Sequence, residues 1–495
     1  MTFSLGDLLI KSGRFGLLTL ITRIIAIPKE LIVAGVLNPA GYGIIGIVNL
    51  WESYTGFINL GVGAAAGREV PYLIGKGEHN NARSVQNIAV TSDLFTRSIP
   101  FVILVTAALC YSELTFKLGL ALAAVTVILT GFSGNLDNMC FVRQQYSLVF
   151  KGRFINSFAN VAIVLALIFW LKIYAVFIAA ALSALITLLF FLKYQDIGFQ
   201  FKIDWAETRR LIKPGIALVM LALIYNGFRL VDRTVGAYYL SLSELGMYMF
   251  ALKFALFGIT FLKQSISALS PTLYEQAGKS GDLYGVFSSL ARTAVCWSLL
   301  AAMMIPSAQM LFFGLVKYIV PKYAESIPVF YVLSLSFFLV TTYAFANTIL
   351  VSPMVNRQNL SVKLNAVGLG LNAVLDIAAV KLGYGMVGIA WGTIISQGLM
   401  ILMFFYVCRE YMFKNVKEYT VFMWQILLPL TVGIGFIFFH EYIQIAVVTP
   451  WKVIGYSFTL QVAVWTFLVL CFYNSYLPIK SLRLMIKSVC KKIDQ

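Results

Sequence analysis

Long, almost continuous apolar runs follow one another along the whole chain, each separated from the next by a short polar segment. Crossing the hydrocarbon core of a bilayer takes about 20 predominantly apolar residues. The runs lack the alternation of membrane barrel strands, so they predict helices, which satisfy their own backbone hydrogen bonds. We therefore predict an all-α polytopic membrane protein with about fourteen transmembrane helices, at 15–37, 42–66, 92–112, 116–139, 154–171, 174–193, 214–238, 244–268, 293–315, 328–351, 364–382, 385–407, 421–440 and 451–473.

The connections between these runs are short, and no soluble domain interrupts them. The longest, at 67–91, 194–213 and 269–292, are polar and basic. We expect parts of them to form amphipathic helices at the membrane surface.

The net charge of +17 follows from lysines and arginines concentrated in alternate connections. Cytoplasmic loops carry such an excess, so the pattern predicts that both termini are cytoplasmic, with a ratio between the two sides of roughly four to one. Nucleic-acid binding is not indicated, because no basic groove interleaved with aromatic residues appears. The side predicted to be outside holds only Lys117, Lys172, Lys317, Lys322, Lys381 and Lys452.

An internal repeat divides the chain. The segment VLNPAGYGIIGIVNL at 36–50 aligns with SLSELGMYMFALKF at 241–254 when Gly41 is set on Gly246, an offset of about 205 residues. Two copies of a six-helix unit predict two lobes in a pseudo-twofold arrangement with a cavity between them. Short glycine-rich turns between apolar helices are the alternative source of this similarity. The predicted domains are 1–205 (spans 1–6), 206–410 (spans 7–12) and 411–495 (an extra helix pair and a basic tail).

Ionisable residues inside the apolar runs provide the strongest functional signal. A charge at the bilayer centre costs at least about 2.5–3.5 kcal/mol, and such residues normally face the bundle interior or a watery cavity. A cationic cavity concentrates potential on an anion, and Arg and Lys both bind phosphate. We predict that five cations help to line such a cavity: Arg23, Lys29, Arg229, Arg233 and Lys253.

Structural explanations stand beside this one. Arg229 and Asp232 are three residues apart on one helical face, so they are also consistent with a neutral structural pair. Lys29 and Glu30 are also consistent with a pair near the interface. Arg97 and Lys263, near the inner ends of their spans, are interpreted as anchors. The acids Glu52, Asp232 and Asp376 are candidate coupling sites for a proton or ion, and the sequence does not select among them.

Motifs for enzymatic chemistry are missing. The GKS at 278–280 lacks the glycine that a phosphate-binding loop requires five residues earlier, where Leu273 stands. His79 and His440 lie far apart and no CxxC pair occurs, so neither a metal site nor a cofactor is indicated. We therefore predict a protein that is not an enzyme.

Three stretches carry a resemblance to a known family: 37–70 (beginning LNPAGYGIIG), 230–254 (LVDRTVGAYYLSLSELGMYMFALKF) and 320–397 (beginning VPKYAESIPVF). In these stretches the sequence resembles the polysaccharide transporter branch of the multidrug/oligosaccharidyl-lipid/polysaccharide (MOP) exporter superfamily, the Wzx-type O-antigen flippases. It implies a flippase of the bacterial inner membrane that moves undecaprenyl-diphosphate-linked oligosaccharide to the outer leaflet by alternating access.

The resemblance also implies residue roles and partners. Related flippases place cations of the first and eighth spans against the diphosphate, and Arg23 and Lys253 match those positions. Glu52 stands where lipid II flippases have an arginine, which argues against lipid II as the substrate. Expected partners are membrane lipids and the polymerase and chain-length regulator of polysaccharide assembly, around a monomeric transport unit.

Two other functions remain open. A multidrug/cation antiporter of the same superfamily would have twelve spans and an anionic cavity. A polysaccharide polymerase or ligase would need a large outer loop, which the apolar pattern does not leave room for.

Overall fold

The computed structural model describes residues 26–58, 60–142, 145–194, 200–267, 283–352, 355, 357–446 and 450–468. Within these ranges the chain is helical almost throughout and contains no strand. It forms two compact units, Ile24–Met249 and a second from Phe250 onward. We call them the first and second units. The dividing point lies inside one continuous helix.

Nine helices begin in the first unit. They are α1 (26–36 in its described part), α2 (Pro39–Gly56), α3 (Val62–Gly75), α4 (His79–Cys110), α5 (Leu114–Val142), α6 (Tyr146–Leu171), α7 (Ile173–Tyr194), α8 (Trp205–Tyr239) and α9 (Leu242–Ser267). The described part of the second unit adds α10 (Leu283–Tyr318), α11 (Ser326–Ser334), α12 (Ser336–Val351), α13 (Gln358–Lys381), α14 (Gly385–Met412), α15 (Val416–Ala446) and α16 (Pro450–Leu468).

Local sequence sets several of these helix starts. Asn38 caps α2 by accepting a hydrogen bond from the Gly41 amide at 2.8 Å, and Pro39 occupies the first helical position. Asp204 caps α8 in the same way. Ser241 and Glu244 exchange hydrogen bonds at the start of α9, which is the reciprocal pattern of a capping box.

Helical hairpins build both units. In the first unit α4 packs on α5, α6 on α7 and α5 on α7, while α3 packs against α4 and α8. A core cluster that includes Val90, Leu136 and Phe191 joins α4, α5 and α7. In the second unit α13 packs on α14, and α10 packs on both α12 and α15. Each unit therefore has an interior of its own.

Ten helices in the described part of the chain are long and apolar enough to cross a membrane. The chain is thus a multi-pass membrane protein. The helices α2, α8 and α16 are not among the ten. In α8 the apolar run is interrupted by Arg229, Asp232 and Arg233.

The prediction of one continuous span at 42–66 is wrong. The chain leaves α2 at Gly56 and starts α3 at Val62. Gly61, at the break, has φ +68°, and a Cβ there would collide with the Gly215 carbonyl of α8. This positive φ and the close approach of two backbones both require glycine, and hydropathy registers neither.

Helices fill most of the connection predicted at 67–91, as expected, since α3 and the first turns of α4 lie there. Apolar side chains from both helices, including Val70 and Val85, share a buried cluster with Leu211 of α8. The segment is helical because it packs against the bundle.

The predicted repeat has a counterpart in a contact between the starts of α2 and α9. A Cβ at Gly43 would collide with the Leu242 carbonyl, and a Cβ at Gly246 would collide with the Pro39 carbonyl. The contact is reciprocal with an offset of 203 residues, from Pro39 to Leu242 and from Gly43 to Gly246. This offset is two residues smaller than that of the sequence alignment, which set Gly41 on Gly246.

Candidate functional site

The structure locates part of the predicted cation set. Arg23 lies outside the described residues, and the side chain of Arg229 on α8 is also outside them. Lys29, Arg233 and Lys253 are described, and each side chain is half-buried. Lys29 and Arg233 belong to the first unit and Lys253 to the second.

Lys29 is held inside the first unit by two side chains. Its Nζ lies 3.0 Å from Glu30 Oε1 and donates to Asn160 Oδ1 on α6 at 2.9 Å. Glu30 is 2% exposed and also accepts from the Tyr42 hydroxyl of α2 at 2.8 Å. A buried carboxylate is tolerated only when it is paired and hydrogen-bonded, and here both conditions are met. The pair therefore joins α1, α2 and α6.

This network continues along one face of α6 toward its start. Asn160 donates to Ser183 of α7 at 3.4 Å, and Asn156 donates to Thr187 at 3.0 Å. One turn earlier, Arg153 makes a salt bridge with Asp137 of α5 at 2.7 Å. Residues 153, 156 and 160 follow helical spacing, so they share a face. We call this set, from Arg153 to Glu30, the polar track.

The sequence analysis did not predict the polar track. The sequence contains a pattern that indicates this face, because Arg153, Asn156 and Asn160 are spaced at i, i+3 and i+7 in a mainly apolar run. The partners Asp137, Ser183 and Thr187 come from other helices. Only packing shows that they meet this face.

A second polar group lies where α8 meets α9 in the first unit. Asp232 is 2% exposed and accepts from the Tyr248 hydroxyl at 3.1 Å. The neighbouring Arg233 has its Nε buried without a hydrogen-bond partner in the described part of the chain. A buried guanidinium N–H without a partner is costly, and it is a donor that an anionic ligand satisfies.

The other predicted acids have different surroundings. Glu52 on α2 is half-buried, and its carboxylate makes no hydrogen bond or ion pair within the described ranges. Asp376 on α13 is fully buried and accepts from Asn372 at 3.0 Å. A Cβ at Gly392 would collide with Asp376, so α14 passes very close to this carboxylate.

Arg97, interpreted from the sequence as an anchor, is held by a buried acid. Its Nε donates to Asp93, one turn earlier on α4, at 3.1 Å, and Asn135 of α5 donates to the same carboxylate oxygen at 2.7 Å. Asp93 is 4% exposed. The sequence analysis did not identify this pair, because Asn135 and Asp93 come together only through the packing of α4 on α5.

Among the described residues, no three His, Cys, Asp or Glu side chains come together in a way that would hold a metal ion.

Comparison with known proteins gives the family. Residues 32–294, more than half of the chain, match the family described as polysaccharide biosynthesis protein. A search among proteins of curated function found no match.

Solved structures share the fold at low sequence identity. The lipid II flippase MurJ, in an inward closed conformation, has a TM-score of 0.64 at 13% identity and covers 93% of this chain and 99% of its own. An inward-facing multidrug resistance MATE family transporter of the MOP superfamily has a TM-score of 0.63 at 13% identity, covering 78% and 94%. A Vibrio cholerae MATE transporter has a TM-score of 0.56 at 13% identity, covering 82% and 97%.

Likeness at this identity establishes the fold, and the family match establishes membership. Together they confirm the predicted resemblance to the polysaccharide branch of the MOP superfamily. The relatives are transporters and flippases rather than enzymes. The chain therefore belongs to the polysaccharide biosynthesis protein family and is a multi-pass membrane protein with the fold of MOP-superfamily transporters and flippases.

Proposed function

We propose that this protein is a flippase that moves an undecaprenyl-diphosphate-linked oligosaccharide, an O-antigen or related surface polysaccharide unit, from the cytoplasmic to the outer leaflet. The family match carries the proposal. A polysaccharide biosynthesis protein that is built from membrane helices acts at the membrane, and there the saccharide is attached to a lipid. Likeness to a lipid II flippase over 93% of the chain supports the same reading.

The diphosphate is the part of such a substrate that is hardest to move across the membrane, since moving bare charge into hydrocarbon costs many kcal/mol. Cationic side chains replace its water while the polyprenyl tail stays in lipid. We assign this role to Arg23, Lys29, Arg229, Arg233 and Lys253. The unpartnered Nε of Arg233 supports the assignment, because it offers a buried donor to an anion.

The proposed architecture completes the scheme. We infer fourteen spans, two six-helix lobes at 1–205 and 206–410 in a pseudo-twofold arrangement, and an extra helix pair at 411–495. Both termini are proposed to be cytoplasmic, in the inner membrane of a bacterium. The reciprocal contact of Gly43 and Gly246 supports the repeat, because equivalent positions contact equivalent carbonyls.

Alternating access is proposed to be driven by the membrane potential or an ion gradient. One elementary charge crossing 100 mV is worth about 2.3 kcal/mol. Glu52, Asp232 and Asp376 are the candidate coupling residues. Of these, Glu52 is the carboxylate that makes no hydrogen bond within the described ranges.

The test uses cells depleted of the protein. Polyprenyl-diphosphate-linked sugars are extracted, and their leaflet is determined with a membrane-impermeant reagent. We expect accumulation on the cytoplasmic face without altered drug tolerance. Normal translocation in depleted cells would overturn the proposal, and outer-leaflet accumulation of single units would indicate a polymerase or ligase that joins them.

Site variants give a second test in the same cells. Lys253→Ala and Arg23→Ala are expected to abolish export while the protein remains folded and abundant. Lys263→Ala is the matched control, because Lys263 lies ten residues further along α9 and is exposed. Wild-type export by both well-expressed variants would exclude a cationic binding site at these positions.

A multidrug/cation antiporter is the second candidate, and a specific observation favours it. The MATE transporter matches with a TM-score of 0.63, almost the 0.64 of the flippase. This function predicts that depletion changes drug tolerance and leaves lipid-linked sugars correctly distributed. The leaflet measurement therefore separates the two candidates directly.

A further inference from the structure

A groove between α5 and α6 lies inside the first unit, at the Arg153 end of the polar track, and none of the predicted cations lines it. It has a volume of about 320 Å³, at the lower end of the about 300–1,000 Å³ that is usual for ligand pockets. Seven of its nine lining residues have polar side chains and the other two are Gly134 and Phe191, although carbon atoms supply most of its accessible surface. We call it the α5–α6 groove; the residues that matter below are Thr130, Gly134, Asp137, Arg153, Asn156 and Ser157.

The groove lies between two helices that are long and apolar enough to cross a membrane. Asp137 is five residues and Thr130 twelve residues from the end of α5 at Val142. At 1.5 Å per residue these positions lie about 7 and 18 Å along the helix from that end. With a hydrocarbon core of about 30 Å centred on α5, most of the groove would lie within the core. Polar side chains at that depth are costly against lipid, so we infer that they face water or a ligand.

The charges in the groove cancel. Arg153 makes a bidentate pair with Asp137, with Nη2–Oδ2 at 2.7 Å and Nε–Oδ1 at 3.3 Å. The remaining polar groups are hydroxyls and amides. A neutral lining with a carboxylate is poorly suited to a diphosphate, which requires net positive charge. It is suited to a neutral ligand rich in hydroxyl groups.

Donors and acceptors remain available for such a ligand. Asn156 uses its amide N–H₂ on Thr187, and its Oδ1 accepts no hydrogen bond from the residues that the structure describes. The Ser157 hydroxyl makes no hydrogen bond within the same ranges. Arg153 remains largely exposed although it is paired, with 62% of its side chain accessible.

We propose that the α5–α6 groove binds sugar rings of the transported oligosaccharide, separately from the cations that hold the diphosphate. This inference rests on the proposed function and adds to it the place where the saccharide is recognised. Hydroxyl-rich rings replace water along the groove, with Asn156, Ser157 and the Arg153–Asp137 pair as hydrogen-bond partners.

Gly134 offers a sharp test. It lies on α5 in the lining, and a Cβ added there would meet no atom within 4 Å. Gly134→Leu therefore adds side-chain volume on the wall of the groove, from a Cβ that meets no other atom. Gly134→Ala is the near-neutral companion. Gly370→Leu on α13 is the matched control, because that glycine also has no atom within 4 Å of an added Cβ and lies in the second unit.

Binding to the purified full-length protein is measured by native mass spectrometry with two ligands. One is the lipid-linked oligosaccharide extracted from depleted cells, and the other is undecaprenyl diphosphate without sugar. For Gly134→Leu we expect affinity for the glycosylated lipid to fall about tenfold, with affinity for the bare diphosphate unchanged. Gly134→Ala and Gly370→Leu are expected to bind both ligands as the wild type does.

Each other result is decisive. Unchanged binding of both ligands by Gly134→Leu, or equal weakening of both, would overturn the sugar assignment and leave a groove filled only by water. Wild-type protein that binds neither ligand would overturn the flippase proposal itself. If Gly134→Leu cannot be recovered folded, Ser157→Leu on the opposite wall carries the same expectation.

Discussion

Three helices of the first unit meet across polar side chains, whereas part of the second unit is filled by aromatic rings. In the first unit α5, α6 and α7 are linked by the pairs Arg153–Asp137 and Asn156–Thr187. In the second unit Phe312 of α10 stacks on Phe330 of α11 with ring centroids 4.1 Å apart. Phe250 of α9 packs against Phe312 at 5.7 Å.

The two interiors are stabilised by different physical effects. The aromatic rings are stabilised by dispersion contacts in close packing, and Tyr323 is fully buried beside Phe250. Polar contacts between membrane helices contribute only about 0.6 kcal/mol each on average. Polar contacts therefore contribute little to the stability of a helix bundle. In the first unit the apolar cluster with Val90, Leu136 and Phe191 therefore supplies packing that these polar contacts do not.

The largest expected effect is on the aromatic interior. Phe312→Ala should lower the free energy of unfolding by about 3 kcal/mol, the lower end for Phe→Ala, because lipid rather than water surrounds the bundle and packing is the main loss. Unfolding in mixed micelles with a rising fraction of SDS measures the change. Phe438→Ala is the control, since that ring is 63% exposed. Equal stability of the two variants would contradict a supporting role for the ring cluster.

A smaller effect is expected in the polar interior. Lys29→Met leaves the buried Glu30 carboxylate without its ammonium and should cost about 2 kcal/mol. The double variant Lys29→Met/Glu30→Gln should recover part of this loss, because no buried charge then remains unpaired. The same SDS titration measures all variants. A double variant that loses the sum of the two single losses would show that the pair is not coupled.

The smallest effect is expected for the ion pair between Glu207 and Arg210, which precedes the predicted span at 214–238. This pair is exposed, so it serves as a reference for the two buried interiors. The hydrogen bond from Arg210 Nε to Glu207 at 2.9 Å lowers the pKa of that carboxyl. A lowered folded-state pKa gives stability that is present above the unfolded value of about 4.3 and is lost as the pH falls below it. The melting temperature of wild type should therefore fall slightly more between pH 6 and pH 3.5 than that of Glu207→Gln. Parallel curves would show that the exposed pair contributes nothing.

The apolar pattern predicted correctly those helices whose length follows from the thickness of the bilayer. The span predicted at 116–139 is α5, Leu114–Val142, and the span at 174–193 is α7, Ile173–Tyr194. Their positions follow from bilayer thickness, which each run must match without help from other helices. The pattern failed at Gly61, where a backbone contact with Gly215 breaks the span.

The candidate site was predictable in kind but not in arrangement. Ionisable residues in apolar runs identified Lys29 and Glu30, which are adjacent in sequence and form a pair. The Asn160 side chain that holds Lys29 comes from 131 residues further along the chain. No local pattern links such positions, because the contact depends on how α1 packs on α6.

The sequence by itself determined the class of the protein, the positions of most helices and the residues that carry charge into the membrane, because hydropathy and charge act residue by residue. Tertiary structure decided the break at Gly61, the register that pairs Gly43 with Gly246, and the polar track along α6. These features depend on atoms that approach one another from distant parts of the chain, and their energies exist only once the helices have packed.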